Sequence, residues 1–261
     1  MLANYAAFQE FDGKADIEYT VSRPVSGGFF LYRGDDLLAE AQNDEAIQYS
    51  FLYALEKSIA IDLQYARADL YFIHAAALEH HGRVFMLVAA SGTGKSTTAW
   101  ALLQHGFHYM SDELAPIDPI GNVVHPYPHA LCLKSEPPAP YQLPKNIVCT
   151  ERTIHIPVET IPSLAIKHPR PLQAIFFLQR DANVSEPSLK RLSAAEASTR
   201  LYANTLNALA HPYGGLDVAI NIASSVPVFL LNAGDLRSTC DLVLTVADDQ
   251  SILPGATAPL S

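Results

Sequence analysis

The sequence predicts an α/β fold, a mixed sheet flanked by helices, preceded by a small N-terminal lobe of strands and a helix. Three observations predict it. Two strand-like runs, residues 71–78 and 83–89, are joined across Glu79-His80-His81-Gly82 as a hairpin. The second run then enters a glycine-containing loop, a stretch of good helix formers and another strand-like run, the order of a strand-helix-strand crossover. Two further apolar runs, 174–178 and 226–231, read as buried strands with an Ala-rich helix between them. At 261 residues the chain is long enough for one large domain, or one domain and a small lobe. The expected division is a lobe over 1–70, a main domain over 71–247 and a mobile tail over 248–261.

Within the lobe, residues 17–40 hold short alternating runs punctuated by Pro24, Gly27, Gly28 and the turn Arg33-Gly34-Asp35-Asp36, which suits antiparallel strands. A helix follows. Asn43 or Asp44 can cap it, and Ile47, Phe51, Leu55, Ile59 and Leu63 place one apolar stripe along it until about residues 66–69. In the main domain a helix is expected over 96–105, closed by Gly106, with Trp100 in the core and the next strand over 107–110. Beyond Leu114 eight prolines, from Pro116 to Pro144, permit only short strands. The later helix is expected from Ser193 to about Ala210, and Tyr213-Gly214-Gly215 reads as a plain loop.

Charge and cysteine usage bound the function. Seventeen Lys+Arg against twenty-seven Asp+Glu give a formal charge of −10, which opposes a surface that neutralises many nucleic-acid phosphates. No nucleic-acid partner is expected. Cys132, Cys149 and Cys240 are scattered and form no C-x-x-C pair, so a disulfide framework is not expected and a reducing compartment is. The N-terminal residues lack the basic start and apolar run of a secretory signal, and no apolar stretch approaches the roughly 20 residues of a membrane span. The expectation is a soluble, cytoplasmic protein without a membrane partner.

The chemistry concentrates around Ser91-Gly92-Thr93-Gly94-Lys95-Ser96-Thr97. Glycines let successive backbone N–H groups face one point at a helix N-terminus, where the helix dipole favours an anion. In a loop of this type Lys95 reaches the β- and γ-phosphates of a nucleotide, Ser96 sits on Mg²⁺, and Thr97 can bond the α-phosphate. Ala89 stands where the pattern has its first glycine. Asp112 and Glu113 end the strand after the loop's helix, and a right-handed crossover brings them to the carboxyl edge of the sheet beside the loop. There a carboxylate can hold Mg²⁺ or take a proton from an attacking hydroxyl, and Asp112 is the first candidate for both. Read alone, Asp112-Glu113 can also be an acidic surface turn. His74 is flanked by apolar residues, and a lone histidine on an apolar strand is more often a satisfied core residue than a catalyst.

The set "IHAAAL", a short turn, "SGTGKST" and "GFHYMSDE" resembles the kinase domain of the bacterial HPr kinase/phosphorylase family, over roughly residues 72–117. The resemblance implies a fold similar to the P-loop core of phosphoenolpyruvate carboxykinases. It also implies ATP and Mg²⁺ as cofactors, a serine of a small protein or peptide as acceptor, and assembly into an oligomer. Residue by residue, Lys95 and Ser96 take the loop roles, Asp112 the role of base, and His74 a supporting role near the γ-phosphate. The family has two aspartates where this chain has Asp112-Glu113, which leaves the base open between them. The family's second signature region, tied to phosphorolysis, has no counterpart here. Residues before 71 do not resemble the family's N-terminal domain, so HPr itself is not implied as acceptor. The expected activity is thus a Mg²⁺-dependent phosphotransferase acting on a hydroxyl. The alternatives are a nucleotide-binding regulatory module or weak ATPase, and a small-metabolite kinase.

Other signals are weaker. His125-x3-His129, His105-x2-His108 and His80-His81 have metal-like spacings but no third ligand in sequence, so zinc is not expected. Arg180, Arg191, Arg200 and Arg237 are candidates for an arginine that stabilises charge on a transferred group.

Overall fold

The computed structural model describes residues 2–8, 14–25, 27–42, 51–150, 152–163, 168–181 and 184–249. The expected caps Asn43 and Asp44, the stripe residue Ile47 and nearly all of the tail lie outside them. A short helix α1 (Leu2–Tyr5) precedes strands β1 (Tyr19–Ser22), β2 (Phe29–Arg33) and β3 (Asp36–Ala41), an antiparallel sheet in that order. Helix α2 (Leu52–Ala66) packs against it, with Phe51 and Leu55 buried beside Leu31 and Ala41. Burial of these apolar faces holds helix to sheet, and a fork of hydrogen bonds fixes the register between them. Arg33 donates to both carboxylate oxygens of Asp62 at 2.7 and 2.8 Å, and the Tyr19 hydroxyl donates to the same carboxylate. The Arg33 hydrogen bond holds Asp62 below the usual carboxylate range.

The remaining elements are β4 (Tyr71–Ile73), β5 (Ala75–His80), β6 (Arg83–Val88), α3 (Lys95–Leu103), β7 (His108–Ser111), β8 (Ala115–Asp118), β9 (Val123–Val124), β10 (Leu131–Leu133), β11 (Val148–Cys149) and β12 (Ile154–Ile156). They continue with β13 (Arg170–Arg180), β14 (Ser188–Arg191), α4 (Ala194–Ala203), α5 (Leu216–Ser225), β15 (Val228–Ala233) and α6 (Leu236–Asp248). The molecule is a mixed α/β structure. Its central strands run β7-β5-β6-β13-β15-β14; β6, β13 and β15 are mutually parallel, while β5 is antiparallel to both β6 and β7. Two antiparallel steps leave β7 parallel to β6. Four strands, β7, β6, β13 and β15, therefore end at one edge of the sheet, and β5 starts there.

Helices cover both faces of this sheet, which is why its central strands read as unbroken apolar runs. On β6, Phe85 and Leu87 face α3 and α6, packing with Trp100, Leu102 and Val243, whereas Val84, Met86 and Val88 face α4 and α5, packing with Leu201 and Ile222. The period-2 alternation of a strand thus feeds two separate cores. No helix among the described residues is long and apolar enough to cross a membrane. Cys132, Cys149 and Cys240 are free thiols.

Three expectations are corrected. Residues 71–78 are not one strand: the chain breaks at His74, so that β4 pairs with β8 while β5 pairs with β6 and β7. The break has a cause, since the His74 N–H leaves the ladder and donates to the carbonyl of Asn204 at 3.0 Å. The helix expected to reach Ala210 stops at Ala203, where Asn204 caps it, and a separate short turn covers Ala208–Ala210. Tyr213-Gly214-Gly215 is not a plain loop but a tight turn with positive φ at all three residues, which launches α5. A Cβ on Gly215 would lie 3.0 Å from the Tyr71 ring, so glycine is required there for packing as well as for φ.

Candidate functional site

The shared edge of the four co-directional strands assembles the site. From β6 the chain enters residues 89–94, and Gly94, at φ +108, is the N-cap of α3 with no side chain capping the helix. Gly92 is also left-handed, at φ +86. A β-carbon is unfavourable at both positions for reasons of φ alone, because nothing lies within 4 Å of either. The uncapped N–H groups and the helix dipole together make a place where an anion is favoured. Ser91 and Gly92 are exposed, and Thr93, Ser96 and Thr97 are half-buried at the start of the helix. Lys134 donates to the Ser91 hydroxyl at 2.7 Å, putting a second cation on the loop.

Lys95, the first residue of α3, is buried at 7% exposure and turns toward the end of β7. Its ammonium donates to Asp112 Oδ1 at 3.0 Å and to the Asp112 carbonyl. Burial alone would lower the Lys95 pKa, but the charges of Asp112 and Glu113 outweigh it and hold the group above its ordinary value. Asp112 is 1% exposed, and its Oδ2 is buried without a hydrogen-bond partner, as is the neighbouring Ser111 hydroxyl. Orphaned buried oxygens are costly and concentrate where a ligand or ion completes a site.

Glu113 has the opposite environment. Its side chain is 47% exposed and its Oε2 lies 3.2 Å from His74 Nε2, whose side chain is 34% exposed. Burial would raise the Glu113 carboxyl, yet the His74 hydrogen bond and the Lys95 charge carry it below its usual range. His74 is placed here by the strand break that also ties its backbone to Asn204. The four residues from three separate sequence segments therefore form one chain of contacts, His74 to Glu113, then across the peptide to Asp112 and Lys95.

Two cavities flank the loop and meet at Thr93 and Arg180. The larger, 840 Å³, lies between the loop, the end of β13 and the end of α4, with Arg180, Arg200 and Asn204 in its wall. The smaller, 410 Å³, lies on the α3 and α6 side and includes Thr97, Tyr141, Asp235 and Arg237. Of the four candidate arginines, the structure brings Arg180, Arg200 and Arg237 to the loop; Arg191 lies on β14 and lines neither cavity. Arg200 is paired with Glu196 at 3.0 Å, whereas Arg180 makes no ion pair among the described residues.

Sequence reasoning missed Lys134 and Asn204, whose neighbours in sequence give no hint of a loop over forty or a strand over a hundred residues away. The histidines set aside earlier separate. His125 lines a separate 440 Å³ apolar cavity with Phe8 and Pro169. His129, buried, stands 3.2 Å from Glu56 Oε1 behind the site, and burial there drives the Cys132 thiol well above its ordinary pKa, which makes it a poor nucleophile.

No family model matches the chain, and no curated protein matches it. Among solved structures the chain is similar to the HPr(Ser) kinase/phosphatase from Coxiella burnetii, at 12% sequence identity and a TM-score of 0.36, over 67% of this chain and 87% of that one.

Proposed function

We propose that the chain is an ATP- and Mg²⁺-dependent phosphotransferase that acts on a hydroxyl, with a serine of a small protein or peptide as acceptor. The observation that carries the reading is the junction of Lys95, Asp112, Glu113 and His74 at the mouth of a glycine-shaped helix N-terminus. Residues 91–97 hold the phosphates through backbone N–H groups, with Lys95 as the loop's cation. Asp112 and Ser96 are the residues that would hold Mg²⁺, and the unpartnered Oδ2 of Asp112 supports that fit. The metal would supply charge neutralisation for the phosphates.

The two carboxylates divide the work. A base must reach the acceptor, and Asp112 is enclosed while Glu113 is half open. We therefore assign the proton to Glu113: the acceptor oxygen attacks the terminal phosphorus, the bond to the bridging oxygen breaks, ADP leaves, and Glu113 takes the hydroxyl proton. A carboxylate with a lowered pKa is a weak base, but phosphoryl transfer passes through a loose transition state in which the proton leaves late. His74 orients Glu113 through their 3.2 Å contact. Arg180, which lines both cavities and holds no ion pair among the described residues, would meet charge on the transferred group. Residues 71–247 form the catalytic body in this reading, and 1–70 an accessory lobe.

Glu113→Gln and Asp112→Asn separate these roles. Glu113→Gln is expected to bind ATP as the wild type does and to transfer phosphate about 10² to 10⁴-fold more slowly to a seryl peptide. Asp112→Asn is expected to weaken both, because Lys95 loses its partner. Full transfer by Glu113→Gln would remove Glu113 as base. Tight ATP binding by the wild type with no transfer to any hydroxyl would instead identify a nucleotide-binding regulatory module.

A further inference from the structure

At the opposite end of β6 from the loop, about 20 Å away along its six residues, three side chains outside the proposed active site converge. His80 ends β5, His81 and Gly82 form the two-residue turn of the hairpin, and Asp248 ends α6. His80 Nε2 lies 2.8 Å and His81 Nε2 3.8 Å from Asp248 Oδ1, and the three ligand atoms all lie within 4.8 Å of one another. The sequence supplies the two histidines in tandem and withholds the third ligand, which arrives from 168 positions away.

We propose that His80, His81 and Asp248 form a Zn²⁺ site that clips the end of α6 to the β5–β6 hairpin. The first argument is hydrogen-bond chemistry. A neutral imidazole has one donor nitrogen and one acceptor nitrogen. The His80 Nδ1 faces the Gly106 carbonyl at 3.4 Å and its Nε2 faces a carboxylate oxygen, so both nitrogens meet acceptors. A ring that donates Nδ1–H to a backbone carbonyl presents its Nε2 lone pair outward, the usual arrangement of a metal-ligating histidine. A cation between that lone pair and Asp248 satisfies both sides.

The second argument is shape. His80 is buried at 7% exposure and stacks on Phe107 at 4.6 Å, so its ring is fixed before any ligand binds. His81 has φ +51, in the left-handed region, within a turn that favours Asn or Asp, and its side chain stays exposed beside Asp248. A tetrahedral zinc with bonds of about 2.1 Å needs ligand atoms about 3.4 Å apart. The two Asp248 contacts, at 2.8 and 3.8 Å, bracket that edge and all three ligand atoms lie within 4.8 Å of one another, so the exposed His81 and Asp248 side chains would close on the ion by rotating. Two nitrogens and one carboxylate oxygen leave a fourth position for water, and suit zinc better than magnesium or calcium.

The test uses full-length protein without a histidine tag, stripped of metal and free of nucleotide, titrated with Co²⁺ as the spectroscopic stand-in and with Zn²⁺ by calorimetry. One equivalent is expected to bind with the intense visible bands of a tetrahedral centre. His81→Ala and Asp248→Asn, both at exposed side chains, are expected to weaken binding by about tenfold or more, while His74→Ala leaves it unchanged. Zn²⁺ should raise the melting temperature of the wild type but not of Asp248→Asn. The proposal is overturned if no equivalent binds, if both variants bind as the wild type does, or if binding disappears with His74→Ala.

Discussion

Asp112 and Glu113 are adjacent in the chain and differ in almost everything a carboxylate can differ in. The end of β7 turns Asp112 inward onto Lys95 and Glu113 outward onto His74. The lowered pKa of Glu113 makes a pH prediction with a definite sign. A carboxyl lowered in the folded state binds its proton more tightly when unfolded, so its contribution to stability is in place above its ordinary 4.5 and is lost as pH falls towards about 2. Because nearly half of the side chain is exposed, solvent screens the effect and its size stays small. In urea unfolding, the difference in stability between wild type and Glu113→Gln should be present at about pH 5 and shrink below about pH 4.5; a difference that grows on acidification below that point would contradict the His74 and Lys95 contacts.

Among the elements, the strand, loop, helix and strand around residues 83–111 were legible because each follows a local rule: a two-residue turn, left-handed glycines, a run of helix formers ended by Gly106 at φ +91. Helices α5 and α6 were not read. Both carry β-branched residues, Val218, Ile220 and Ile222 in one and Thr239, Val243, Thr245 and Val246 in the other, whose intrinsic preference runs against a helix. Packing against the two faces of the sheet overrides that preference. A usable signal was present at α6, where Asp235 caps the helix by accepting from the Ser238 N–H at 3.0 Å. The crossover led to the expectation of Asp112-Glu113 beside the loop, and only the resemblance brought His74 to it, but the burial that separates Asp112 from Glu113 depends on tertiary packing. The β15-to-α6 turn also yields a prediction. A Cβ on Gly234 would overlap the Ser185 carbonyl oxygen and lie 2.7 Å from Pro187 N, both backbone atoms that cannot rotate away. Gly234→Ala is expected to cost roughly 1–3 kcal/mol in unfolding free energy and to weaken nucleotide binding, since Gly234 and its neighbour Asp235 line the smaller cavity beside the loop. Wild-type stability in that variant would mean that the turn moves freely.

For the whole molecule, the two cores on either side of the sheet hold its strands in register, while among the described residues the edge with the loop has orphaned oxygens and an Arg180 without an ion pair. On the proposed reading, stability resides in the body and ligand binding completes the edge. Saturation with nucleotide should then stabilise the fold by mass action, about 2.7 kcal/mol at a hundredfold excess over the dissociation constant. For a chain of this size each kcal/mol raises the melting temperature by about 2–4 °C, so ATP with Mg²⁺ is expected to shift it upward by about 5–11 °C. Lys95→Met lowers the starting temperature, because Asp112 is left as a buried charge without its cation. What discriminates is the shift rather than the starting point: it should vanish in Lys95→Met and shrink in Arg180→Ala, whose side chain holds no ion pair among the described residues. Equal shifts in all three proteins would place the nucleotide somewhere other than the mouth of α3, and with it the whole assignment of the four converging residues would fall.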